Sequence, residues 1–169
     1  FCRSFATGAG ADRFKEAVKQ DIGMLLHGSA EHKLVGFPKA TIYWNDWERT
    51  PWETKHQRFC FCDNCKRAFR QYAKLPENAD LSDSVIEANY AAEWKQFRCE
   101  LDARVNGIVK QACNELGLQY MYYDMVRFAD NWPPLKGRID LAFVGWPGSG
   151  QAIGYGPHDG VGTFPVDQQ

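Results

Sequence analysis

The chain has 169 residues and a formal charge of −1, from 20 basic and 21 acidic residues. A chain of this length can form one compact domain with a real core. The charge balance provides no basic surface for nucleic acid or for an anionic membrane. No apolar run approaches the roughly 20 residues that a membrane-spanning helix needs. Length and composition therefore predict a single domain over residues 1–169 that binds neither nucleic acid nor a membrane.

Residues 1–10 are not expected to be a signal peptide, because they lack a basic region followed by an apolar one. The chain also lacks an initiator Met, so we expect a processed product or a fragment. Six cysteines would permit disulfides, and the sequence therefore leaves the cellular compartment open.

Hydrophobic periodicity predicts a helix from Asp12 to the stop signal at Gly28, with its apolar residues on one stripe. The β-branched and aromatic run from Lys39 to Trp44 is typical of a strand. A short helix is predicted from Asp63 or Cys65 to about residue 74.

The strongest pattern predicts a long helix from Ser82 or Ser84 to Gly117, with apolar residues at steps of three or four. Strands are predicted over 118–124 and 139–144, and the Gly-rich residues 146–169 are interpreted as a loop or tail.

Strands that alternate with amphipathic helices indicate an α/β fold built from parallel βα units. A complete eight-fold barrel needs about 250 residues, which is more than this chain has. We therefore expect a partial or reduced TIM-type barrel, with a small open sheet as the alternative.

Carboxylates follow two of the predicted strands, at the ends where parallel α/β folds place functional groups. Asp46 and Glu48 follow the first strand and Asp124 ends the second. Neighbouring parallel strands lie about 4.8 Å apart. The carboxylates could then approach the separation of about 5 to 9 Å that glycoside hydrolysis uses. An acid after a strand can equally be only a helix cap or a loop hydrogen bonder, so both interpretations stay open.

Aromatic residues surround these carboxylates and could stack on the apolar faces of sugar rings. The interpretation of the same tryptophans as core or rim residues remains open. The residues assigned to substrate binding are Trp44, Asn45, Trp47, Trp52 and Tyr122.

Cys60, Cys62 and Cys65 lie within six residues, a density that suits three thiolates converging on one metal ion. A structural zinc site needs four ligands in tetrahedral array. Cys2 is the assigned fourth ligand, and it would pin the first segment of the chain to the cysteine loop. His56 and Cys99 remain alternatives for that position, whereas Cys113 is expected to be buried as a small hydrophobe.

A strand with an acidic end, followed by Cys60-x-Cys62-x-x-Cys65 and then Lys66-Arg67-Ala68-Phe69, resembles the βα-barrel glycoside hydrolases typified by the family 42 β-galactosidases. It is also similar to further barrel glycosidases that carry the same cysteine segment. The resemblance covers residues 39–74 in motif and 39–145 in the order of elements.

The resemblance implies a barrel, a structural zinc held by the cysteines, and an acid/base glutamate at the strand end before them. By position that glutamate is Glu48, with Asp46 as its competitor. The family has Asn followed directly by Glu, whereas here Asp46 and Trp47 stand between Asn45 and Glu48. The family's nucleophile lies several strands later, unless Asp124 takes that part here.

The leading hypothesis is therefore a glycoside hydrolase with a carbohydrate substrate, zinc as a structural cofactor, and Glu48 paired with Asp46 or Asp124. The alternatives are a non-catalytic carbohydrate-binding or scaffold domain and a zinc-knuckle interaction module. An incomplete barrel would expose strand edges and apolar helix faces, so we expect a homo-oligomer or a missing barrel segment.

Overall fold

The computed structural model describes residues 2–45, 60–124, 135–144 and 162–165. The helices are α1 (Arg3–Ala6), α2 (Ala11–His27), α3 (Asp63–Tyr72), α4 (Asp83–Asn89) and α5 (Ala91–Glu115). The strands are β1 (Ile42–Asn45), β2 (Gln119–Asp124), β3 (Leu141–Val144) and β4 (Gly162–Pro165). None of the helices in these ranges is long and apolar enough to cross a membrane.

The strands form one four-stranded sheet in the order β1-β2-β3-β4. The pairs β1–β2 and β2–β3 are parallel, whereas β3 and β4 are antiparallel. The prediction of a partial or reduced TIM-type barrel is therefore wrong. Such a barrel needs a run of parallel strands that closes on itself. Here an antiparallel strand ends the sheet, and within the described ranges β4 does not pair with β1. The fold is a small mixed α/β arrangement.

The fourth strand lies inside the Gly-rich stretch that the sequence indicated as a loop or tail. The predicted long helix is also divided, because Tyr90 leaves the helical region at φ −131°. The same residue ends α4 and precedes α5, and its carbonyl accepts the first hydrogen bond of α5 from Trp94. The break lets the Tyr90 ring pack edge-on against Phe69 at 6.0 Å.

One face of the sheet packs against α2 and α5 and forms the first hydrophobic core, which we call the sheet cluster. Side chains alternate along a strand, so Tyr120 and Tyr122 of β2 point to the same face. Both are buried there with residues of the two helices. The buried members are Ile22, Leu26, Ala103, Val109, Cys113, Leu118, Tyr120, Tyr122, Leu135 and Ile139.

A second core, which we call the aromatic cluster, lies between α3, α4 and the first half of α5. The Trp94 ring is at its centre, 4.8 Å from the Phe69 ring and 5.4 Å from the Phe97 ring. The buried members are Cys65, Phe69, Leu81, Ile86, Trp94, Phe97 and Leu101. The cysteine segment borders this core, so the metal-ligating residue types lie against the smaller of the two clusters.

Candidate metal centre and sheet edge

Four cysteine sulfurs meet beside the aromatic cluster. The Sγ atoms of Cys2, Cys60, Cys62 and Cys65 all lie within 4.8 Å of one another. The Sγ of Cys2 is 3.5 Å from that of Cys62 and 3.7 Å from that of Cys65, and the thiols are free. Zinc–sulfur bonds of about 2.3 Å in a tetrahedron place the sulfurs about 3.8 Å apart. The four cysteines therefore fit a metal ion such as zinc.

The beginnings of two helices bring these sulfurs together. Cys62 has extended backbone immediately before α3, and its carbonyl accepts the first helical hydrogen bond from Lys66 at 3.0 Å. Cys65 lies in the first turn of α3 and is fully buried. Cys2 precedes α1 in the same way, with its carbonyl accepting from Ala6 at 3.0 Å. The amide-rich start of α3 favours negative charge on the neighbouring sulfurs.

The residue between Cys60 and Cys62 explains their spacing. The Phe61 ring stacks on Trp94 with the ring centroids 5.1 Å apart and the planes 11° from parallel. Phe61 thus anchors the loop to the aromatic cluster, while Cys60 and Cys62 on either side belong to the thiol group. The short Cys-Phe-Cys run provides both an anchor and two thiols of the group that could hold a metal ion.

Two hydrogen-bond donors face the buried sulfur of Cys65. The Ser4 hydroxyl donates to it at 3.2 Å, and the Arg98 Nη1 donates at 3.6 Å. Arg98 is buried, which lowers its pKa, and the nearby charge of Arg3 lowers it further. Donors of this kind stabilise a thiolate more than a thiol, and they offset part of the negative charge of a metal–thiolate group.

The thiols of the group have different proton affinities before a metal ion binds. Burial raises the pKa of Cys65 to about 12, against the opposing effects of Ser4 and Arg98. Burial also acts to raise the pKa of Cys62, but the Cys65 backbone amide and the neighbouring thiols outweigh it and lower the pKa to about 7. Burial raises the pKa of Cys60. Metal binding here must therefore release protons.

Three buried polar side chains on α5, spaced four residues apart, form what we call the polar row: Arg98, Asp102 and Asn106. The Asp102 carboxylate forms an ion pair with Arg3 at 3.1 Å and accepts a hydrogen bond from the Tyr122 hydroxyl at 3.4 Å. Sequence reasoning missed the polar row. The available signal was a four-residue polar repeat directly beside the apolar stripe.

The polar row continues to the end of β1. The Tyr120 hydroxyl donates a short hydrogen bond to the Asn106 Oδ1 and accepts one from the Asn45 Nδ2 at 3.1 Å. Asn106 in turn donates to the Asp102 carbonyl at 2.9 Å. Burial holds the pKa of Tyr120 well above its usual range, so its hydroxyl keeps its proton and remains a donor.

The candidate carbohydrate site lies at the ends of β1 and β2. Asn45 is the last residue of β1 and pairs with Tyr122, two residues before Asp124 ends β2. The Trp44 side chain is about half exposed, and Tyr122 is buried on the helix-facing side of the sheet. Four other residues assigned from the sequence lie outside the described ranges: Asp46, Trp47, Glu48 and Trp52.

The structure distinguishes between two of the three residues considered as the fourth metal ligand. Cys2 joins the thiol group, whereas Cys99 is buried on α5 and is not a member of it. His56 lies outside the described ranges. Cys113 is fully buried in the sheet cluster, with its pKa raised by burial to about 12.

No protein-family model, curated protein or solved structure matches the chain.

Proposed function

We propose that the four cysteines form a structural zinc centre that holds α1 against α3. The observation that carries this proposal is the convergence of four sulfurs within 4.8 Å from two distant segments. An all-cysteine tetrahedral site has no open position for water or substrate, so its role is structural.

The short length of α1 explains why a metal centre would be needed to hold it in place. The helix α1 has only four residues and cannot be stable alone. Its attachments near the cysteines include the Ser4 contact to Cys65 and the ion pair between Arg3 and Asp102. Zinc bonds to Cys2 would add the strongest link, because structural zinc contributes directly to folding free energy.

Metal analysis of the purified, zinc-reconstituted chain tests this proposal. We expect stoichiometric zinc in the wild type and a large loss of affinity in Cys2→Ser. Cys99→Ser is the matched control, because Cys99 is a buried cysteine that is not part of the thiol group, and it should retain zinc. A wild type that binds no zinc, or a Cys2→Ser variant with unchanged affinity, would contradict the proposal.

As the biochemical activity we propose glycoside hydrolysis at the carboxyl ends of β1 and β2. Glu48 would be the general acid/base, with Asp46 or Asp124 as its carboxylate partner. The parallel register supports this proposal. Asn45, the last residue of β1, lies opposite Tyr122 of β2. Asp46 follows Asn45 in the chain, and Asp124 comes two residues after Tyr122. The half-exposed Trp44 ring offers an apolar surface for a sugar.

Hydrolysis of a panel of aryl glycosides tests the activity. Glu48→Gln, Asp46→Asn and Asp124→Asn should each lower kcat, whereas Glu77→Gln on an exposed turn should leave it unchanged. Hydrolysis that survives all three carboxylate substitutions would refute the assignment. Glycan binding without turnover would instead select a carbohydrate-binding domain, and zinc with a protein partner but no glycan would select an interaction module.

A further inference from the structure

A cleft of about 500 Å³ lies between α1, α3 and α5, and no residue of the four described strands lines it. Its volume falls within the range of small-molecule sites, which is about 300 to 1,000 Å³. Neither the zinc proposal nor the carbohydrate proposal uses this space.

The walls of the cleft offer aromatic surface at the mouth and a buried apolar floor. Phe5 of α1 and Tyr72 of α3 line it and are among the exposed large hydrophobic residues of the described chain. Phe97 of α5 is buried beneath, with its ring 5.4 Å from that of Tyr72. A flat apolar group entering here would contact rings from three different helices.

Among the described residues that line the cleft, positive charges outnumber negative ones. Arg67 of α3 and Arg104 of α5 both line it, and the acidic lining residue is Glu100. The Glu100 carboxylate is already shared between Arg104 at 3.0 Å and Arg138 at 2.9 Å. Arg67 forms no ion pair with any residue in the described ranges. A guanidinium left without a carboxylate partner beside a cleft is available to an anionic ligand.

We infer that this cleft binds a small organic anion, with a carboxylate or phosphate on Arg67 and Arg104 and a flat apolar body between Phe5 and Tyr72. Arg104 uses its Nε for Glu100, and its two terminal nitrogens remain to complete a bidentate contact. The site requires both parts of the ligand, because the rings supply contact area and the arginines supply charge complementarity.

Titrations of the ¹⁵N-labelled chain followed by NMR test the inference with four probes: benzoate, phenyl phosphate, benzyl alcohol and inorganic phosphate. We expect at least one aromatic anion to bind with shift changes in α1, α3 and α5. Benzyl alcohol and inorganic phosphate should bind about tenfold more weakly or worse, because each lacks one part of the ligand. Preference for phenyl phosphate or for benzoate identifies the anionic group, and either supports the inference.

Arg67→Gln should weaken the better probe by about tenfold, because it removes a charge-assisted contact. Arg13→Gln is the matched control, since Arg13 is exposed on α2 and does not line the cleft. Binding equal in both variants, shift changes confined to other elements, or no binding at millimolar concentrations would overturn the inference. Zinc content measured on the same samples keeps this result separate from the zinc proposal.

Discussion

The guanidinium of Arg98 donates a hydrogen bond to the sulfur of Cys65 across 3.6 Å, and both side chains are buried. A buried cation is stable only where negative charge faces it. A metal–tetrathiolate group would provide that charge, and Arg98 also lies near the carboxylate of Asp102. The pair thus joins the cysteine group to the polar row of α5.

Replacing Arg98 should weaken the proposed zinc centre. We expect Arg98→Met to lower zinc affinity by about tenfold or more, because outer groups that hydrogen-bond a metal ligand contribute on this scale. Arg98→Lys should recover part of the loss. Competition with a chromophoric chelator measures the affinity, and the charge-transfer band of the cobalt-substituted chain should move to lower energy in Arg98→Met. Unchanged affinity together with an unshifted band would show that Arg98 has only a packing role.

Removing the Tyr120 hydroxyl should destabilise the fold. Tyr120→Phe leaves Asn106 and Asn45 without their shared partner, at a cost of about 1 to 3 kcal/mol in the free energy of unfolding. Tyr43→Phe is the control, because the neighbouring Tyr43 hydroxyl makes no hydrogen bond to the residues described. Urea unfolding measures both, and equal midpoints for the two variants would contradict the prediction.

Glu100 should contribute a pH-dependent part of the stability. Burial acts to raise its pKa, but hydrogen bonds and ion pairs with Arg138 and Arg104 outweigh burial and lower it. Because the folded pKa is below the unfolded value, the contribution is fully present above the unfolded pKa. It is lost as the pH falls through the folded pKa.

Unfolding followed from pH 7 down to acid should therefore show a smaller pH dependence in Glu100→Gln than in the wild type. The difference at neutral pH should be about 0.5 to 1 kcal/mol, as expected for a partly exposed ion pair. Parallel stability curves for the two proteins over that range would exclude this role.

Gly28 should not tolerate a side chain. It follows α2 with a φ of +80°, and a Cβ there would lie 2.8 Å from the Leu34 carbonyl oxygen. Gly28→Ala should cost about 1 to 3 kcal/mol through backbone strain and this contact. Gly23→Ala, inside α2 with open space around it, should instead stabilise the chain by about 0.5 to 1 kcal/mol. Thermal unfolding of the two variants measures whether Gly28→Ala lowers the stability and Gly23→Ala raises it.

Elements with strong local patterns were predictable from the sequence. The helix expected from Asp12 to Gly28 is observed as Ala11–His27, and the strand expected over 118–124 is observed as Gln119–Asp124. A run of apolar residues at helical spacing carries this information within one window. The convergence of the four thiols could also be predicted from the sequence, since a structural zinc site needs a fourth ligand and Cys2 could provide it.

Features that depend on distant partners were not predictable. At the break, the Tyr90 ring packs on Phe69, and β4 pairs antiparallel with β3, so both features involve residues far from them in the sequence. The barrel was predicted wrongly because alternating strands and helices constrain neighbouring units but do not fix how a sheet ends. The polar row was missed because the buried Asp102 forms its ion pair with Arg3, a residue almost a hundred positions earlier.

The helix α5 belongs to both cores, with Trp94 in the aromatic cluster and Val109 in the sheet cluster. Its 25 residues form a continuous rod of about 37 Å at about 1.5 Å per residue. Arg98 of this helix contacts the Cys65 sulfur, and Asp102, four residues further on, accepts a hydrogen bond from Tyr122 of β2. The two contacts lie about 6 Å apart along the helix axis, so a single turn of α5 joins the cysteine group to the second half of β2.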